Sequence, residues 1–201
     1  REAWKAYGYD EMEEHLPEEA AGILLGPGAP GGETFPCPLS DGYALYELPF
    51  DASGFLRFQM LCQAPCTVYL FFDEIRKEGK LDFLRMGTCN CFKYALDAGS
   101  HSVMTFAPYT MKYVQIAVKG SAVLEKLEMV EYKHPSVPRR VRLPEDKELE
   151  EIYQAALESY RSNAVDLFMD CPSRERAGWL CDSFFTARVE HVLTGECVLE
   201  R

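Results

Sequence analysis

Between Tyr43 and Tyr132 seven short runs rich in aromatic and β-branched residues succeed one another, and at Lys133-His134-Pro135-Ser136-Val137-Pro138 the pattern stops. No other feature limits the fold so strongly. The runs cover residues 43–48, 54–62, 66–72, 91–96, 101–106, 113–118 and 122–132, with turn-forming residues between them: Asp51-Ala52-Ser53-Gly54, Glu78-Gly79, Asp97-Ala98-Gly99 and Lys119-Gly120. Short strands at this spacing predict a β-sandwich. Leu56, Phe58 and Met60 alternate with Arg57 and Gln59, which predicts a wet face on the sheets. Two prolines force an extended connection, so the sandwich is expected to occupy residues 40–136.

Beyond the prolines the period changes. Asp146 stands where an N-cap is needed. Leu149, Ile152, Tyr153, Ala156, Leu157, Tyr160 and Ala164 then recur at helical spacing, with Glu150, Glu151, Glu158 and Arg161 opposite. A second helix carries Phe184, Phe185, Ala187, Val189, Val192 and Leu193 and is expected to end at Thr194-Gly195. Before the sandwich, residues 1–39 are acidic and then Pro/Gly-rich, with a helix expected as far as about residue 21 and a turn region over residues 26–32. The fold class expected is mainly β with C-terminal helices.

Composition removes several functions. A net charge of -11 argues against nucleic acid or an anionic membrane as partner, because both require a basic surface. No apolar run reaches the roughly 18 residues of a membrane span. The eight cysteines are scattered through hydrophobic segments of a chain too large to need staples, so free thiols in a reducing compartment, the cytoplasm, are expected. No secretion signal is recognisable. Neither Cys62 with Cys66 nor Cys89 with Cys91 has zinc-knuckle spacing, so no metal is expected, and no cofactor.

The chemistry is concentrated between the two helices, in Asp170-Cys171-Pro172-Ser173-Arg174-Glu175-Arg176-Ala177-Gly178-Trp179-Leu180-Cys181-Asp182. Carboxylates accept hydrogen bonds from sugar hydroxyls, and an indole offers an apolar face to a pyranose. A glutamate among apolar groups can keep a proton near neutral pH. Each residue also has a plainer reading. Glu175 could belong to a solvated Arg-Glu-Arg network, Asp182 could cap the second helix, Trp179 could anchor the core, and Asp170 could tie the loop through backbone N–H groups. Cys171 reads as a small buried side chain.

The loop resembles the Asp-Cys-Pro-x-Arg-x-Glu-x-x-Gly-Trp-x-x-Asp type signature of the α-L-rhamnosidases of glycoside hydrolase family 78, in a length variant with Arg and Glu adjacent. That resemblance implies a β-sandwich followed by the first helix pair of an incomplete (α/α)6 barrel, with the catalytic domain opening at residues 137–201. It implies a carbohydrate substrate, Glu175 as general acid, and Asp170, Arg174, Trp179 and Asp182 in contact with the sugar. The family inverts anomeric configuration, and its water-activating carboxylate is expected beyond residue 201. The parent is thus expected to hydrolyse glycosides and the isolated chain to be inactive. The rival readings are a non-catalytic carbohydrate-binding sandwich and a helical hairpin that only mediates assembly. Exposed apolar helix faces would favour a homodimer.

Overall fold

The computed structural model describes residues 28–29, 34–135, 137, 139–196 and 199. The expected N-terminal helix and most of the Pro/Gly segment lie outside them. Within that segment, Gly28–Ala29 forms a two-residue strand, β1, paired parallel with Tyr43 and Ala44. The chain divides into two compact units. The first holds residues as far as Ala52, Leu56–Phe106 and Thr110–Val130, and the second holds Ser53–Phe55, Ala107–Tyr109 and everything from Glu131.

The first unit is built on seven further strands: β2 (Cys37–Cys62), β3 (Cys66–Asp73), β4 (Arg76–Lys77), β5 (Lys80–Leu81), β6 (Cys91–Leu96), β7 (Gly99–Met104) and β8 (Tyr109–Glu131). One sheet runs β1-β2-β8-β3-β6 with β7 also on β2, while β4 and β5 form a separate hairpin. The fold is a β-sandwich, as the strand pattern predicts, with two expected turns replaced by strand. Asp51-Ala52-Ser53-Gly54 lies inside β2 and Lys119-Gly120 inside β8. Their turn-type composition serves bends within long strands. Ala52, Ser53 and Gly54 are buried, where small side chains let the backbone pass close to its neighbours. Gly120 takes a φ of 106° that other residues avoid.

These bends let two strands serve both halves of the sandwich. The first half of β2 lies beside the first half of β8, where Lys112 is 3.3 Å from Glu47 and the Gly120 N–H donates to the Asp41 carboxylate at 2.8 Å. The second halves meet at Arg57 and Glu128, 2.8 Å apart. β3 and β6 extend the first pairing, and β7 pairs with residues 57–62 of β2. Alternate residues are buried on β2, as the pleat requires: Leu56, Phe58 and Met60; on β8 residues 114–118 are all buried, Gln115 and Ala117 included.

β3 also departs from alternation, because both its faces are covered. Val68, Leu70 and Phe72 are buried on one side. On the other, Tyr69 and Phe71 pack with Leu81, Cys91 and Ala117 beneath Phe83 and Cys89. The wet face predicted for the sheets is absent there because the excursion carrying β4 and β5 folds back over it.

In the second unit, helix α1 (Lys147–Asn163) begins where expected. The Asp146 carboxylate accepts from the N–H groups of Glu148 at 2.9 Å and Leu149 at 3.2 Å. Helix α2 (Leu180–Thr194) ends at Gly195, in the left-handed conformation with φ 77°. Tyr160, Ala164 and Phe168 pack with Ala187 and Leu193 to make the core of this unit. The linker docks on α1: the His134 N–H donates to the Arg161 carbonyl at 2.7 Å, and the Arg161 guanidinium returns a bond to the His134 carbonyl at 3.0 Å. α2 carries apolar side chains on its outer side as well as its inner one. Ala187, Glu190 and Leu193 face inward, while Leu180, Phe184, Phe185, Val189 and Val192 remain exposed. No described helix is long and apolar enough to cross a membrane.

Candidate active site

The loop joining α1 to α2 is shaped by backbone bonds before any side chain acts. The Met169 N–H donates to the Asn163 carbonyl at 2.8 Å, and Ala164 bridges to Phe168, so the chain turns back tightly as α1 ends. Asp170 then closes the loop. Its N–H donates to the Ala177 carbonyl at 3.0 Å, and its carboxylate accepts from the Ala177 N–H at 2.9 Å and from the Cys171 thiol at 3.2 Å. Partial burial works against charge on Asp170. The Ala177 N–H, the Cys171 thiol and neighbouring backbone N–H groups outweigh it and hold the carboxyl below its usual range. The loop-tying reading of Asp170 is thus realised in the structure. Cys171 is half-buried and serves as a donor.

Glu175 stands near the middle of the loop with both oxygens engaged. One pairs with the Arg174 guanidinium, and the other accepts from the Trp179 indole N–H at 2.7 Å. The structure therefore gathers Arg174, Glu175 and Trp179 into one network. Glu175 and Arg174 are each more than a third exposed, so as an ion pair they add little stability. Trp179 is 54% exposed. It is not the core anchor that a lone indole usually becomes.

Asp182 does not cap α2. The helix starts three residues earlier, with Trp179 at the N-cap position and the Ser183 N–H donating to its carbonyl at 2.8 Å. Asp182 lies in the first turn, where its charge suits the positive end of the helix and its carboxylate is exposed. The Arg-Glu-Arg reading holds for only one of the two arginines. Arg176 adopts a left-handed φ of 52°, donates to the Pro108 carbonyl at 2.6 Å and lies 4.3 Å from the centre of the Tyr109 ring. Sequence reasoning passed over that contact. Sixty-seven residues separate the partners, and Ala107-Pro108-Tyr109 carries no mark of a binding segment.

Asp170, Arg174, Glu175 and Trp179 thus fall between the two helices, on a connection closed by one carboxylate and carrying another toward solvent, and Asp182 follows in the first turn of α2. Residues 144–197 match the family model described as the bacterial alpha-L-rhamnosidase 6 hairpin glycosidase domain. The helix pair and its loop are similar to that glycosidase domain. That match spans both helices and the whole loop. Among solved structures, the chain is similar to the family 78 rhamnosidase of Bacillus sp. GL1, with TM-score 0.66 and 25% identity over 87% of this chain and 18% of that one. A rhamnosidase from Klebsiella oxytoca with rhamnose bound shares the fold at TM-score 0.69 and 20% identity, covering 80% of this chain and 34% of that one. The α-L-rhamnosidase from Dictyoglumus thermophilum does so at TM-score 0.57 and 16% identity, over 79% and 20%. The chain spans from under a fifth to about a third of the length of these proteins. No curated protein matches it.

Proposed function

We propose that this chain works as part of an inverting glycoside hydrolase that removes terminal rhamnose from glycosides. Residues 40–136 serve as an accessory β-sandwich and residues 137–201 open the catalytic domain. The observation that carries this reading is the loop. The family match runs through it, and in the structure Glu175 is its solvent-facing carboxylate, flanked by an indole and a guanidinium.

In this mechanism Glu175 releases one of its two contacts when substrate enters, carries a proton on the freed oxygen and delivers it to the departing glycosidic oxygen. Trp179 then offers its exposed ring to the apolar side of the sugar while its N–H holds the other carboxylate oxygen. Asp170, tied on one side to Ala177, and Asp182, exposed in the first turn of α2, accept hydrogen bonds from sugar hydroxyls. Arg174 exchanges its pairing with Glu175 for a sugar oxygen. Inversion needs a second carboxylate, roughly 6.5–9.5 Å away, to activate water on the opposite face of the ring. We assign that base to a part of the enzyme outside this chain, so the isolated chain is inactive. The seven described cysteines are free thiols, which supports a cytoplasmic setting.

Glu175→Gln in the complete enzyme tests the proposal. On a natural rhamnoside with a poor alkoxide leaving group, kcat is expected to fall by about 10²–10⁴-fold, the typical value of acid catalysis. A nitrophenyl rhamnoside needs little protonation and should lose far less. Equal losses on the two substrates would remove Glu175 from the acid role.

A further inference from the structure

We propose that Arg176 is a positioning residue, whose guanidinium clamps the loop to Pro108 and Tyr109 and thereby fixes where the Glu175 carboxylate points. The inference rests on the reading of Glu175 as proton donor. Three observations carry it. Arg176 is a non-glycine residue with φ 52°, a conformation that side chains avoid unless their surroundings hold them in it. The surroundings that hold it are the 2.6 Å bond to the Pro108 carbonyl and the stacking over Tyr109 at 4.3 Å. The next residue, Ala177, is bonded through both its N–H and its carbonyl to Asp170.

Glu175 thus lies just ahead of two fixed points, one on a ring and carbonyl far away in sequence and one on the loop's own carboxylate. Arg174 and Arg176 consequently divide the work. The first pairs with Glu175 and is free to exchange, and the second is turned away and stays in place. A guanidinium suits the clamp because it donates along its edge while its flat face lies on a ring.

Arg176→Gly separates the clamp from the backbone conformation, since glycine adopts positive φ without strain and brings no guanidinium. In the 201-residue chain, amide exchange across residues 170–179 is expected to accelerate about tenfold or more in this variant, as expected when local opening becomes easier. α1 and α2 should stay protected. In the complete enzyme Arg176→Gly should lower kcat on the poor-leaving-group rhamnoside about tenfold more than on the nitrophenyl rhamnoside, the signature of a misplaced acid. Arg176→Lys, which keeps a donor for the Pro108 carbonyl, should recover part of both losses. Unchanged loop exchange, or equal falls on the two substrates with no recovery by lysine, would overturn the proposal. Glu175→Gln is assayed alongside. If it shows no leaving-group preference, the acid assignment itself falls, and the exchange measurement alone decides whether Arg176 clamps the loop.

Discussion

Asp170 and Glu175 stand five residues apart in one loop and use the same functional group in different ways. Asp170 gives its carboxylate to the loop's own N–H and thiol donors, whereas Glu175 pairs with the exposed side chains of Arg174 and Trp179. The depressed carboxyl of Asp170 makes its contribution dependent on pH. A group lowered on folding stabilises fully above its unfolded pKa, about 3.9 for aspartate, and loses that contribution as pH falls through its folded value. Asp170→Asn keeps an acceptor but removes the charge, so it should cost about 1–2 kcal/mol near pH 7. The difference from wild type should shrink as pH falls below about 4. Urea titrations across that range check it, and a pH-independent difference would show that charge plays no part. At this scale the sequence revealed which side chains the loop offers but not how they are partnered. The left-handed turn at Arg176 leaves no trace in residue type, and Asp182 looks like a cap because nothing in Trp179-Leu180 announces an earlier helix start.

Elements were legible where one local rule governs them. α1 follows from an aspartate before a periodic apolar stripe, and α2 stops at the glycine that its left-handed end requires. The long strands were misread because glycine, aspartate and serine are found in strand bends as well as in turns, and residue type does not separate the two cases. Gly120 is the sharpest example. A Cβ placed there would lie 3.1 Å from the Cβ of Cys66, on a backbone of φ 106°. Gly120→Ala should therefore destabilise the sandwich by about 1–3 kcal/mol through strain. A midpoint shift in chemical denaturation measures it, and an unchanged midpoint would mean that β8 does not need glycine to bend.

For the molecule as a whole, the order of sandwich, linker and helix pair was readable because each part carries a different hydrophobic period. The coverage of β3 was not, since it depends on where a 17-residue excursion between strands comes to lie. The exposed side of α2 has its consequence at this scale. A helix with large apolar side chains on its outer side is normally covered there too, and Phe184, Phe185 and Val192 each stand more than half exposed. The 201-residue chain is expected to self-associate with rising concentration, and Phe185→Glu should return it toward monomer. Sedimentation velocity over a range of concentrations tests this, and a monomer throughout would count against it.

The continuity of β2 and β8 also determines where the chain tolerates added residues. Asp51 to Gly54 and Lys119-Gly120 look in sequence like places for a tag, an inserted peptide or a new pair of termini, yet both lie within strands. One residue inserted at either place would exchange the inward and outward faces of everything beyond it on that strand. The segments between successive strands, at residues 63–65 and 97–98, have no such alternation to preserve. There the molecule has room for length.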